Sequence, residues 1–124
     1  LLREKAGHVN RVSFQGGEIA HGPEQSVMAA ARSCDAALII GSDPLSSLPA
    51  GTARALARQP LIAIDPHRTP TTDAAEVVIP SAISGLEAGG TAVRTDGVKI
   101  EFEPIIEPGL PADEQILKRI MEAI

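Results

Sequence analysis

The sequence predicts an α/β fold, namely a three-layer, Rossmann-like parallel sheet with helices on both faces and a small β-hairpin appendage. Short apolar runs at residues 36–40, 61–64 and 77–79 have the continuous hydrophobicity of strands covered on both faces. Helical patterns alternate with these runs, and this alternation gives right-handed crossovers in a parallel sheet. The length of 124 residues suits a single domain spanning residues 1–124.

The amino-terminal half adds one further strand and two helices to this plan. Residues 9–14 alternate apolar and polar side chains, which is typical of a short strand. Pro23 followed by Glu24 marks the start of a helix that extends to about residue 33. A second helix is predicted at about residues 51–58, and Pro60 ends it. The segments 41–51 and 65–73 are predicted to be loops.

The carboxyl-terminal part predicts a hairpin followed by a helix. Asp96-Gly97 stands between two alternating runs, which is a strong hairpin signal. The last helix is predicted at residues 112–123. Asp113 and Glu114 lie in its first turn, where negative charge complements the helix dipole, and both are interpreted as helix-end charges or solvated groups.

Composition excludes several classes of function. Phe14 and Phe102 are the only aromatic residues, and the net charge is -5, so base stacking and a broad phosphate-binding surface are both disfavoured. A single cysteine cannot build a disulfide framework or a cysteine-rich metal site. No apolar stretch is long enough to span a membrane. We therefore expect no nucleic-acid or membrane partner.

The loop after the first predicted strand is a candidate binding loop. Gly41 would let a ligand approach the backbone closely, and Ser42 offers a hydroxyl group beside amides that favour an anion. A tight turn with Asp43 as a cap, followed by Pro44, explains the same residues, and by themselves they favour the turn. No dinucleotide-binding or P-loop motif is present.

The loop after the second predicted strand is a second candidate, at the same edge of the sheet. The Asp65 carboxylate could accept two hydrogen bonds from the adjacent N1 and N2 donors of guanine. Arg68 could face a phosphate group, and Thr69 could supply a hydroxyl. A proline-rich turn capped by Asp65, with a solvated arginine, explains the residues equally well, so both interpretations stay open.

Metal and nucleophilic chemistry have little support in the residues. His8, His21 and His67 lack the spacing of metal ligands. Cys34 precedes a buried strand and is interpreted as a small buried hydrophobic residue, since no matching base is identifiable. We therefore predict no metal ligand and no catalytic residue in this chain.

Three segments resemble the B subunit of formylmethanofuran dehydrogenase, a member of the molybdopterin oxidoreductase superfamily. The most specific is DPHRTPTTDAAEVVIP, within residues 62–98. DAALIIGSDPLSSLP at residues 35–49 resembles the strand and turn that precede it in the family. GLPADEQILKRIMEAI at residues 109–124 resembles the tail of that family's B subunit.

The resemblance implies a cytoplasmic, multi-subunit oxidoreductase of one-carbon metabolism and methanogenesis. Such an enzyme holds molybdenum or tungsten through two molecules of molybdopterin guanine dinucleotide, and it interconverts carbon dioxide and formylmethanofuran, its methanofuran-linked substrate. The GSDP and DPHRT turns match loops that hold the guanosine diphosphate half of the cofactor in related enzymes. The residues carried over as cofactor-binding are Gly41, Ser42, Asp43, Pro44, Asp65, His67, Arg68 and Thr69.

The departures from the family pattern define the expected role. The family's cluster-binding cysteines and its metal-ligating residue belong to an amino-terminal region that this sequence does not contain, and Cys34 does not match either position. We therefore expect the carboxyl-terminal portion of the B subunit, inactive and metal-free by itself. The alternative is a non-catalytic, structural B subunit of a formyltransferase/hydrolase complex with a vestigial cofactor site. The resemblance disfavours a third possibility, a stand-alone nucleotide-binding regulator.

Overall fold

The computed structural model describes residues 27–94 and 96–123. The strands are β1 (Ala37–Ile40), β2 (Leu61–Ile64), β3 (Val77–Ile79), β4 (Gly90–Val93) and β5 (Lys99–Phe102). The helices are α1 (Val27–Ser33), α2 (Pro44–Ser47), α3 (Ala50–Leu56), α4 (Pro70–Ala74) and α5 (Asp113–Glu122). The predicted strand at residues 9–14 and the start of the first predicted helix lie outside the described residues.

Strands β1, β2 and β3 form a parallel sheet in that order. Ile40 pairs with Ile64, and Ile64 pairs with Ile79, so the three strands end level with one another. Strands β4 and β5 form a separate antiparallel hairpin. The predicted α/β class, the parallel sheet and the hairpin are confirmed.

The core lies on one face of the parallel sheet. Ile39 and Leu61 point to this face and pack with Ala31 of α1 and Leu56 of α3. Leu61 is completely buried. Burial of these aliphatic side chains is the main force that holds α1 and α3 on the sheet.

The opposite face is apolar but partly exposed within the described residues. Leu38, Ile62 and Val77 are in register across the three strands, with 43%, 41% and 49% of their surfaces exposed. Ile64 is fully buried further along the same face. On this face, the side chains are therefore buried mainly toward the carboxyl ends of the strands.

Two segments predicted to be loops contain short helices, so that prediction was wrong. Helix α2 and the start of α3 lie within residues 41–51, and all of α4 except its last residue, Ala74, lies within 65–73. Pro44 and Pro70 stand at the start of α2 and α4, where the missing N–H costs nothing. Helices of four and five residues are too short to show a hydrophobic period, so the pattern could not reveal them.

The turn of the hairpin follows the predicted Asp-Gly chemistry. Asp96 Oδ1 accepts a hydrogen bond from Val98 N–H at 3.2 Å. Gly97 has a φ of 85°, a conformation that residues with a side chain rarely adopt. No helix in the described part of the chain is long and apolar enough to cross a membrane.

Candidate functional site

The chain leaves β1 and β2 at the same edge of the sheet. Gly41 N–H donates a hydrogen bond to the carbonyl of Ile64 at 2.9 Å, and Asp65 N–H donates to that of Ile79 at 3.3 Å. The strand pairing thus continues one residue beyond each strand. Gly41 then turns the chain with a φ of 55°. The residues that follow β1 and β2 therefore meet at the carboxyl edge, as the parallel order requires.

Asp43 and Thr71 tie the two loops together. Asp43 Oδ1 accepts hydrogen bonds from Thr71 N–H at 3.2 Å and from the Thr71 hydroxyl at 2.5 Å. The same hydroxyl accepts a hydrogen bond from Leu45 N–H at 3.1 Å. Thr71 is completely buried. Asp43 therefore fixes the start of α4 against the loop that follows β1.

This hydrogen bonding also affects the charge of the site. Bonding with Ser46 is the largest cause, and bonding with Thr71 the second, that lowers the pKa of the Asp43 carboxyl below its usual value. Asp43 consequently stays ionised to a lower pH than an ordinary aspartate does.

Asp65 is buried, with 8% of the residue exposed, and its two carboxylate oxygens have different environments. Oδ1 accepts a hydrogen bond from His67 N–H at 2.8 Å. This contact stabilises the turn after β2, as the capping interpretation predicts. Oδ2 has no hydrogen-bond partner among the described residues. One oxygen thus shapes the loop while the other remains available to a ligand.

Thr69 has a defined structural role beside this turn. Its hydroxyl accepts a hydrogen bond from Thr72 N–H at 3.1 Å, and Thr69 N–H donates to the Thr72 hydroxyl at 2.7 Å. This reciprocal pair caps the first turn of α4. Any ligand contact of the Thr69 hydroxyl would therefore share it with the cap.

A cavity of about 400 Å³ lies where the two loops meet. Six of the eight predicted site residues line it: Gly41, Ser42, Asp43, Asp65, His67 and Thr69. The predicted convergence of the two loops is therefore present as one concave surface. The volume is within the range that small-molecule sites occupy.

Pro44 and Arg68 do not line this cavity. Pro44 is buried at the start of α2. Arg68 lines an adjoining, smaller cavity and forms an ion pair with Asp73, with 2.7 Å between Nε and Oδ1. The Arg68 side chain is 86% exposed, so the pair is weak and easily exchanged for another anion.

Sequence reasoning missed two walls of the cavity. One wall is residues 82–84, which follow β3; the other is Asp113, in the first turn of α5. The first could have been found, because β3 also ends at the carboxyl edge. Asp113 could not, because a contact between Ala82 N–H and the Pro111 carbonyl at 3.0 Å brings the start of α5 to the sheet.

The lining of the cavity is acidic. Asp43, Asp65 and Asp113 contribute carboxylates, whereas the described lining contains no lysine or arginine. Such a surface favours ligand groups that donate hydrogen bonds and opposes a bare anion. Among the described residues, no group of three or more His, Cys, Asp or Glu side chains could hold a metal ion.

Comparison with known proteins confirms the resemblance found in the sequence. The chain is 44% identical over 92 residues to the B subunit of tungsten-containing formylmethanofuran dehydrogenase 2 from Methanocaldococcus jannaschii. It is 37% identical over 92 residues to the protein of the same name from Methanococcus maripaludis. Each match covers 73% of this chain but only 21% of the relative, so the match spans about a fifth of their length. No family model matches the chain.

Proposed function

Starting from this similarity to the dehydrogenase B subunits, we propose that the chain is the carboxyl-terminal, cofactor-binding portion of a formylmethanofuran dehydrogenase B subunit. In this proposal it binds the guanosine diphosphate half of a molybdopterin guanine dinucleotide. The complete, multi-subunit enzyme interconverts carbon dioxide and formylmethanofuran at molybdenum or tungsten. The bound cofactor supplies the redox chemistry, and the residues of this chain bind and orient its nucleotide end.

The observation that carries the proposal is the meeting of the loops after β1 and β2 in one cavity. The two turns that resemble the family, GSDP and DPHRT, are 20 residues or more apart in sequence. They share a single concave surface at the carboxyl edge of a parallel sheet, which is the usual place for a nucleotide in such folds.

The chemistry of Asp65 fits a guanine base. Guanine presents two adjacent donors, N1–H and N2–H, and a carboxylate is a pure acceptor with two oxygens. Oδ2 has no partner among the described residues, and Oδ1 has room for a second hydrogen bond besides that from His67. Adenine presents an acceptor at N1, which a carboxylate repels, so Asp65 would select guanine.

The diphosphate group has a different set of contacts in the proposal. Ser42 is exposed at the mouth of the cavity and offers a hydroxyl donor. Arg68, at the adjoining cavity, would supply the counter-charge by exchanging Asp73 for phosphate. The acidic lining is compatible with a diphosphate only if it lies toward this rim rather than at the base of the cavity.

The decisive variant is Asp65→Asn, which keeps an oxygen for the His67 N–H but replaces the other with a donor. Calorimetric titration of the full chain with GDP and ADP should show a preference for GDP. The variant should lose about 1–3 kcal/mol of GDP affinity, because two donors then face each other. Asp35→Asn is the matched control, since Asp35 is exposed at the other end of β1.

The two candidate functions give different results in this titration. Equal binding of GDP and ADP before and after the substitution would refute the guanine site. Binding of neither nucleotide would support the alternative of a structural B subunit with a vestigial site.

The proposal also concerns metal content. Molybdenum, tungsten and iron would be held by residues outside this chain, so elemental analysis of the purified chain should find less than one metal atom per chain.

A further inference from the structure

Asp113 is a third carboxylate in the cavity, beside Asp43 and Asp65, and the described structure gives its side chain no hydrogen bond. Its Oδ1 is buried and has no hydrogen-bond partner among the described residues. The residue lines the cavity, and its Oδ2 lies 3.8 Å from the position that a Cβ on Gly41 would occupy. A buried acceptor without a partner is costly, so it calls for a donor from elsewhere.

Asp113 makes no capping hydrogen bond at the start of α5 among the described residues. In the described part of the chain, the one side-chain-to-backbone hydrogen bond at this end is from Ala112 N–H to Gln115 Oε1, at 3.3 Å. Glu114 shows how an acidic residue in the same turn behaves as a solvated charge: its side chain is 78% exposed and pairs with Lys118 at 2.7 Å. Asp113 differs from Glu114 in that its oxygen is turned inward.

The placement of Asp113 is fixed by the fold. Ile116, one turn further along α5, is 5% exposed and anchors the helix, and the contact from Ala82 N–H to Pro111 holds the preceding segment. The backbone at Asp113 is therefore held beside the cavity by packed neighbours on both sides.

We propose that Asp113 binds the ribose of the nucleotide by accepting hydrogen bonds from its 2′ and 3′ hydroxyl groups. This inference rests on the proposed function and extends it to the sugar. Asp65 takes N1–H and one N2–H of the base, so the 2′ and 3′ hydroxyl groups are the donors that the sugar offers. A carboxylate repels phosphate but suits a diol, since both hydroxyl groups can donate to it.

The test compares GDP with 2′,3′-dideoxy-GDP, which lacks both donors. The full chain should bind GDP about tenfold or more tightly, because the dideoxy ligand leaves the carboxylate unpaired. Asp113→Ala should bind both ligands with equal affinity. Glu114→Ala, the control on the same helical turn, should keep the preference of the unsubstituted chain.

A second variant guards against a folding defect. Asp113→Asn keeps the size of the side chain and one acceptor oxygen, so it should fold and retain a reduced preference for GDP. If either Asp113 variant keeps the full preference, or if the unsubstituted chain shows none, the ribose assignment is wrong. If the unsubstituted chain still prefers GDP over ADP in these cases, the guanine site is retained. If the unsubstituted chain binds no GDP at all, both proposals are overturned.

Discussion

Replacing Thr71 with valine should loosen the connection between the two loops of the site. The Thr71 hydroxyl donates to Asp43 at 2.5 Å and accepts from Leu45 N–H at 3.1 Å. Valine has nearly the same shape, so Thr71→Val removes both hydrogen bonds without creating a cavity. Asp43 keeps the bond from the backbone N–H of residue 71, at 3.2 Å, and its hydrogen bonding with Ser46.

The expected cost follows from the burial of Thr71, which has no exposed surface. Two hydrogen bonds are lost, and the N–H of Leu45 is left without its acceptor. Together these losses should lower the free energy of unfolding by about 2–3 kcal/mol. With a urea dependence of about 1–3 kcal/mol/M for a domain of this size, the midpoint should fall by about 0.7–3 M.

Urea unfolding followed by circular dichroism measures this change, and GDP titration in the absence of urea measures its effect on the site. Affinity should fall as well, because the loops no longer hold a fixed distance. Thr91→Val is the matched control: Thr91 lies exposed on β4 and should change stability by less than about 0.5 kcal/mol. If the variants at positions 71 and 91 unfold at the same midpoint, the Asp43–Thr71 connection does not stabilise the site.

Three further predictions concern the fold around the site. Gly41→Ala should lower stability by about 1–2 kcal/mol in the same urea assay, because Gly41 has a φ of 55°. Gly51→Ala should instead raise stability by about 0.5–1 kcal/mol, because Gly51 lies within α3 and has open space around it. The lowered pKa of Asp43 means that its stabilisation is complete above the unfolded value, near 3.8, and is lost as the pH falls through the lower folded value. The difference in urea midpoint between the unsubstituted chain and Asp43→Asn should therefore become smaller below about pH 4. A constant difference from pH 3 to 7 would contradict the lowered pKa of Asp43. Leu61→Ala should cost about 2–5 kcal/mol, since the side chain is fully buried, and Leu110→Ala, 42% exposed, less than about 1 kcal/mol; equal thermal midpoints would refute the placement of the core.

The parallel sheet could be predicted because its signals are local. The apolar runs at β1, β2 and β3 contain no polar residue and are bounded by Asp, Glu, Gly or Pro. Once the strands are parallel, the loops that follow them must meet at one edge, so the sequence alone predicts that Gly41 and Asp65 lie together. Applying the same rule to β3 would have added residues 82–84 to the site.

The remaining features depend on contacts between distant residues. Asp113 and Glu114 are adjacent acidic residues at the start of one helix, and nothing local distinguishes them. Only the packing of α5 near the sheet turns one inward and leaves the other in solvent. Arg68 pairs with Asp73 in the structure. The sequence pattern does not determine whether Arg68 pairs with this aspartate or with a phosphate group.

The most direct test of a guanine nucleotide site is to locate the bound nucleotide by NMR. Amide chemical shifts of the full chain, labelled with ¹⁵N, would be recorded during titration with GDP. The largest changes should fall at residues 41–43, 65–69, 82–84 and 113, with small changes in the β4–β5 hairpin. Changes confined to the hairpin, or the same pattern and affinity with ADP, would contradict a guanine nucleotide site at the carboxyl edge of the sheet.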